Sequence, residues 1–359
     1  MNVIFCNRPD WESNPGGDTV QMLRTKEALE RLGVTIRIAQ QPSDLQGANL
    51  VHIFNTQCAE ELLHWALLAK NSNLPVVLST IHWDLSHYIY IANLYKIGID
   101  YSLRDVSPFK PLFDLMALVA GRIINKPDYY GPSHVRAVRL LSERADLLLP
   151  NSDEEARLFF KNYGLKARKY RVVPNAIESD LFSPENKERT TDIACVGRIE
   201  PTKNQLGLLR AIADRGWNAA LIGRDGENPG YSAAVHRLAK TQRVRVLGNL
   251  PQSQVADQLQ KAKVHVLASF RESPGLATLE ALAMGCSVVV ADSRFCPVET
   301  YFKGLLGRRV FVCNPYQTDS IALAIEQALG AGGDLSETYT PPRWSEVGEA
   351  TLAAYRELM

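Results

Sequence analysis

Short apolar runs, many β-branched, alternate with stretches of helical period along the whole chain. In the first half the strand-like runs are NVIFCN (2–7), VTIRIA (34–39), LVHIFN (50–55), PVVLSTI (75–81), ADLLLP (145–150) and YRVVPN (170–175). Between them lie helical patterns such as Asp18 to Leu32, stopped by Gly33, and Ala59 to Lys70. The second half repeats the alternation with DIACVG (192–197), NAALIG (218–223), VRVLG (244–248), VHVLAS (264–269), SVVVAD (287–292) and RRVFVC (308–313). Strands that are apolar on both faces and separated by helices predict parallel sheets covered on each side. Two successive sets predict an α/β protein of two doubly wound, Rossmann-like domains. The polar, proline-containing stretch from Asn175 to Thr191 reads as their linker. The expected division is 1–176, then 177–342, with a helix over 343–359 packing back near the first domain.

One segment departs from the apolar-core pattern in an informative way. RESPGLATLEALAMG (271–285) predicts a helix from Pro274 to Met284 in which Glu280 is the only charge. A helix apolar on nearly every face is buried, and an ionised carboxylate inside it needs a partner from the protein or from a ligand. Ser273 suits the N-cap and Pro274 the first helical position. The free N–H groups of that first turn, with the positive end of the helix dipole, make a ready anion site around Gly275 and Leu276. Glu272 before it and Glu280 above it stand where hydroxyls on either side of a bound diphosphate would be held.

Ligands gather at the carboxyl ends of strands in open parallel sheets, and Arg198, Arg224 and Arg271 each follow a strand-like run. In VGRIEPTKNQ (196–205), Lys203 falls in the first turn of the next helix, where a cation opposes the dipole unless an external anion is present. The plain alternative is two solvated charges. PGGD (15–18) puts Gly16 and Gly17 between the first strand and a helix, a turn through which backbone can approach a ligand closely, although such a turn is also an ordinary loop. TIHWD (80–84) sets His82 directly after a buried strand, with Asp84 placed to orient it or to cap the next helix. His52 and His265 lie inside strands and read as core. The aromatic-rich, irregular stretch 87–130 reads as packing or as an acceptor surface. The helix His134 to Arg144 carries Arg136, Arg139 and Arg144, which form a solvated face or a peripheral contact with an anionic membrane.

Composition narrows the choice. Lys+Arg number 40 against Asp+Glu 39, so no polyanion or nucleic-acid partner is indicated. The six cysteines contain no C-x-x-C and four lie in or beside strand-like runs, which fits reduced thiols in a cytoplasmic protein rather than a metal site. No run reaches membrane-spanning length, and MNVIFCNRPD reads as a strand rather than a signal peptide.

Taken together, Glu272-x7-Glu280, the VGR…K of Arg198 and Lys203, Gly16-Gly17 and the hinge Val173-Pro174-Asn175 leading to Phe182 resemble the retaining glycosyltransferases of family 4, which have the two-domain GT-B fold with domains facing across a cleft. The resemblance implies transfer of a sugar from a nucleotide diphosphate sugar to an acceptor, with retention; we expect a UDP- or GDP-sugar donor and a carbohydrate, lipid-linked or small-molecule hydroxyl acceptor, and, because two cations and a helix dipole stand where no carboxylate cluster suits a cation, no metal or other cofactor. It implies that Glu272 contacts the donor sugar, that Glu280 holds the ribose, and that Arg198, Lys203 and the amides around Ser273, Pro274, Gly275 and Leu276 bind the diphosphate. It also places His82 near the transferred sugar. Trp83 intervenes where family members often have His-Asp, and Pro274 stands where phenylalanine is commoner. Two further readings share the fold: a sugar-nucleotide epimerase or phosphorylase, and a non-catalytic nucleotide-sugar-binding subunit.

Overall fold

The computed structural model describes residues 1–99, 111–112, 115–116, 119, 131–185, 187–273, 275–331 and 339–359. Along the chain these form β1 (Asn2–Cys6), α1 (Gly17–Arg31), β2 (Thr35–Ile38), β3 (Leu50–Phe54), α2 (Ala59–Asn71), β4 (Val76–Ser79) and α3 (Ser86–Lys96). Next come α4 (Pro132–Arg144), β5 (Leu147–Leu148), α5 (Asp153–Tyr163), β6 (Thr191–Val196), α6 (Gln205–Ala211), β7 (Ala219–Ile222) and α7 (Pro229–Thr241). The remainder is β8 (Arg245–Val246), α8 (Gln252–Lys261), β9 (Ala262–Leu267), α9 (Leu276–Ala283), β10 (Ser287–Ala291), α10 (Val298–Phe302), β11 (Val310–Cys313), α11 (Thr318–Gly330) and α12 (Trp344–Arg356). Two compact units result. The described residues of Met1–Asp84, Pro127–Ile177 and Pro342–Met359 form the first, and those of Leu85–Lys126 and Glu178–Pro341 form the second.

The first unit is built on a parallel five-stranded sheet of order β2-β1-β3-β4-β5. All five residues of β3, LVHIF, are buried, as a central strand covered on both faces must be. Its His52 bonds Tyr355 of α12 through Nδ1 at 2.6 Å and Ser79 through Nε2 at 2.8 Å, and burial holds its pKa down at about 3. The C-terminal helix therefore belongs to this core. Gly348 makes the approach of α12 to α1 feasible, because a Cβ there would lie 2.9 Å from that of Ala28. The run 170–175 is not a strand: it shows one isolated bridge, Leu148 to Tyr170. Arg171 and Val173 donate to Leu148 and Pro150, but Pro174 has no N–H with which to continue a ladder.

The second unit holds a parallel six-stranded sheet of order β11-β10-β9-β6-β7-β8. At its carboxyl edge Gly197 and Gly223 lie so close that a Cβ on Gly223 would fall 2.1 Å from the Gly197 carbonyl oxygen. Glycine is what lets the turns after β6 and β7, which carry Arg198 and Arg224, sit side by side.

One expected assignment changes. The described part of 85–126, expected in the first domain and read as irregular, opens with the helix α3 and groups with the second unit. Ile91 and Leu94 pack with Phe270, Ala291 and Phe295, and His87 bonds the Tyr316 hydroxyl at 2.9 Å. The apolar face of α3 thus finds its cover on unit-two side chains. The rest of the proposed 87–130 acceptor stretch falls almost wholly outside the described residues. Among the described residues no helix is long and apolar enough to cross a membrane.

Candidate functional site

The candidate site of the second unit assembles at the carboxyl ends of β6, β7 and β9. After β6 the chain passes through Gly197 and Arg198 into a single 3-10 turn, Pro201–Lys203, and then α6. Asn204 makes this sharp transition by adopting a left-handed conformation, φ 57°, while its side-chain amide donates to the carbonyls of Ala268 and Pro315. Gln205 anchors the same loop by donating to the Arg198 carbonyl at 2.7 Å, and it accepts from the Tyr231 hydroxyl at 3.2 Å. The loop after β9 is fixed separately: the Phe270 N–H donates to Thr202 and the Glu272 N–H to Phe295, both at 2.8 Å.

These anchors bring Lys203 and Glu272 together, with Nζ donating to Oε1 at 2.5 Å. Arg198 stands in a looser pair with Glu200 at 3.8 Å. Gly275 lies against the Glu272 carboxylate, since a Cβ on it would meet Oε2 at 2.9 Å. Its φ of 90° also favours glycine. Gly275 is the N-cap of α9, which begins at Leu276. This corrects the expected helix start: Ser273 does not cap the helix, because the left-handed Gly275 delays it by two residues. Pro274 lies outside the described residues.

Glu280 is on the second turn of α9, 9 % exposed, and its carboxylate has neither a hydrogen bond nor an ion pair among the described residues. Burial raises its pKa to about 7. Of the two partners the sequence left open, protein or ligand, the protein one is absent among the described residues, and a carboxylate in such a place awaits donors from outside the protein. His265 on β9 is core, buried and held neutral with a pKa near 3 by desolvation.

Tyr88 of α3 went unrecognised in the sequence. Its phenol pKa is raised by burial first, with Glu200, Arg271, Glu227 and Arg198 acting on it electrostatically. Its spacing to Ile91 and Tyr95, three and seven residues, is the helical signal that could have placed it on the face of α3 turned to the second unit.

In the first unit, Gly16 is the N-cap of α1 and the loop before it is stitched by Arg8. That side chain pairs with Asp18 at 2.8 Å and Asp10 at 2.5 Å and donates to the Asn14 carbonyl at 2.5 Å. A Cβ on Gly17 would meet nothing within 4 Å. His82 follows β4 as expected, but its ring is 2 % exposed, packs against Phe159 and Tyr163 of α5, and bonds the Asn162 side chain at 3.1 Å. Its own N–H donates to Glu155 at 3.0 Å. The ring is thus engaged by side chains of the first unit, and the sugar-side role stays what the resemblance implies. Among the described residues no group of three His, Cys, Asp or Glu side chains is arranged to hold a metal ion.

Two parallel sheets with this element order are the GT-B glycosyltransferase fold, and comparison with known proteins gives the same class. Residues 177–339, which contain the Lys203–Glu272 pair and Glu280, match the family described as "Glycosyl transferases group 1". A D-inositol 3-phosphate glycosyltransferase of Kribbella flavida is 32 % identical over 63 % of this chain, and the chain spans 59 % of that relative's length. The enzyme of the same name from Corynebacterium glutamicum is 28 % identical over 95 % of this chain and 92 % of its own. Among solved structures, Anabaena HepE in complex with UDP superposes with a TM-score of 0.69 at 15 % identity, covering 100 % of both chains. A sucrose-phosphate synthase from Thermosynechococcus elongatus gives 0.68 at 15 % identity, covering 100 % of this chain and 99 % of the other.

Proposed function

We propose that this protein is a retaining, metal-independent glycosyltransferase that moves a sugar from a UDP- or GDP-sugar to a hydroxyl acceptor in the synthesis of a glycan, glycolipid or other glycoconjugate. The observation that carries the proposal is the unit-two cluster. A Lys203–Glu272 pair sits at the start of a glycine-capped helix, and eight residues beyond Glu272 stands a buried glutamate with no partner of its own. Ribose hydroxyls are the donors that suit Glu280. The amides at Gly275 and Leu276, with Lys203 and Arg198, suit the diphosphate. Glu272, already oriented by Lys203, reaches the hydroxyls of the sugar.

As the bond between the anomeric carbon and the diphosphate oxygen breaks, negative charge builds on the leaving phosphate. Preorganised cations and amides there stabilise that charge where it develops. The acceptor oxygen bonds to the anomeric carbon on the face the phosphate leaves, and its proton passes to the departing phosphate oxygen. Lys203 and Arg198 supply charge that a divalent cation would otherwise provide. No chemical step is given to His82, whose ring is engaged inside the first unit. Gly16 and Gly17 keep a binding role: among the described residues nothing within 4 Å of a Cβ on Gly17 requires a glycine, and a ligand drawn close to that turn would.

The names of the relatives make D-inositol 3-phosphate the first acceptor to try. The test is to incubate the protein with UDP-glucose, UDP-N-acetylglucosamine or GDP-mannose and an acceptor panel headed by that compound, with EDTA present. The nucleotide and the anomeric configuration of the product are then read by NMR. An α-linked product formed in EDTA supports the proposal. Inversion, an absolute metal requirement, or nucleotide-sugar isomerisation without an acceptor would sink it. In the active pair, Lys203→Ala is expected to lower kcat by about 10²–10³-fold, the usual cost of losing one preorganised donor.

A further inference from the structure

The C-terminal end of α9 is held in an unusual way. The helix has only two turns, Leu276–Ala283, and its last carbonyls follow into a left-handed Gly285, φ 81°. Two arginines from distant parts of the chain converge on them. Arg309, 2 % exposed and just before β11, donates through Nη2 to Leu282 O at 3.0 Å and Cys286 O at 2.9 Å. Arg189, two residues before β6, donates through Nη2 to Met284 O at 2.7 Å. Through Nη1 it also bonds Ala262 O, at the end of α8. Arg189 therefore fastens two helix ends at once.

The stretch that delivers Arg189 is itself pinned. Gln260 of α8 and Glu185 exchange two hydrogen bonds, at 2.9 and 2.7 Å. The segment read as a linker is thus tied to the rear of the helix that carries Glu280.

A short helix has little stiffness of its own, so its ends set its position. The N-terminal end of α9 starts from the left-handed Gly275, and its first amides are the ones assigned to the diphosphate. At the rear, the last carbonyls take side-chain donors from Arg189 and Arg309. Cations at a helix C-terminus also oppose the negative pole of the dipole, leaving the positive pole to act on an anion at the front.

We propose that Arg189 and Arg309 are positioning residues of the donor site, a rear clamp that holds α9 so that its first amides and Glu280 stand where a nucleoside diphosphate needs them. The proposal rests on the donor-site reading of α9 given above.

The experiment is calorimetric titration of the full chain with UDP, for wild type and for Arg189→Met, Arg309→Met and the two lysine variants. Melting temperature and amide exchange across 276–286 are measured in each. Loss of either arginine is expected to raise the UDP Kd about fivefold, the size of one cation–helix-end interaction, and to speed exchange in α9. Lysine, which keeps the charge but not the fork, is expected to recover part of the affinity. Arg189 is half-exposed, so its variant decides the matter should Arg309→Met fail to fold. Faster exchange and lower melting with an unchanged Kd would reduce both residues to structural caps and overturn the clamp. A wild type that binds neither UDP nor GDP would instead overturn the donor-site reading beneath it.

Discussion

Glu155 of the first unit and Glu280 of the second are both buried, and they meet opposite fates. Glu155 of α5 is fully enclosed, and its carboxylate accepts from the Thr80 hydroxyl, the His82 N–H at 3.0 Å and the Asn151 N–H at 3.2 Å. Its own N–H is capped by Ser152 at 3.0 Å. Glu280 of α9 is nearly as buried and accepts nothing among the described residues. A carboxylate removed from water is tolerable when donors replace that water. Glu155 has them within the fold, and its job is finished when the protein folds. Glu280 lacks them, so the folded protein keeps an unmet demand that a ligand can satisfy. Burial alone does not mark a functional carboxylate; what matters is whether its lone pairs are already spoken for.

The contrast breaks most readily at Glu155. Glu155→Leu should strand three donors and destabilise the protein by about 3–5 kcal/mol in urea titration. In any fraction that folds, UDP affinity, a property of the other unit, should stay within a factor of two. A mild loss of stability would mean that the hydrogen bonds around Thr80 and His82 matter less than their geometry suggests.

Glu280→Gln should do the reverse. Its folded pKa of about 7 lies above the ordinary glutamate value of 4.5, so between these values the folded state holds a proton that the unfolded chain releases. Stability tied to that proton is full below pH 4.5 and is lost as pH rises through about 7. On the order of 3 kcal/mol is at stake. The glutamine variant should therefore melt higher than wild type at pH 8, with the gap closing near pH 4.5, while binding donor less well. Melting curves across that range check it. A lower melting temperature at pH 8 would show that Glu280 is paired in the free protein.

A smaller effect is expected at Gly275. Alanine at φ 90° costs about 1–2 kcal/mol in backbone strain, and its Cβ would press on the Glu272 carboxylate. Gly275→Ala should lower the melting temperature by a few degrees and weaken UDP binding, whereas Gly17→Ala, whose Cβ meets no described atom within 4 Å, should change the melting temperature less.

How much of this was legible in the sequence follows the same division. The parallel α/β architecture and its two sheets were readable because doubly covered strands leave long apolar runs, as in LVHIF and SVVVA. The Glu280 anomaly was readable because one charge stands in an apolar helix. Three things were not. The start of α9 depends on the φ of Gly275, which a good N-cap such as Ser273 hides. The membership of α3 in the second unit depends on which distant aromatic residues cover its apolar face. His82 was placed correctly after its strand, but whether its ring turns toward solvent or into the core was decided by Phe159, Tyr163 and Asn162, none of them near it in sequence. The rear clamp was equally hidden, since Arg189 and Arg309 look like ordinary surface charges in a polar stretch and at a strand start.

The central claim, that Glu280 awaits the hydroxyls of a bound nucleotide, can be tested by its proton. Ribose hydroxyls donating to the carboxylate favour its ionised form, so binding should drive off the proton that burial retains. UDP should be titrated into wild type and Glu280→Gln at pH 7 in buffers of different ionisation enthalpy. Subtracting the variant removes any proton released by the nucleotide itself. The account predicts that wild type releases about half a proton more than the variant, the fraction carried by a group titrating near pH 7. Equal proton release with equal affinity would show that UDP, if it binds, does not meet Glu280.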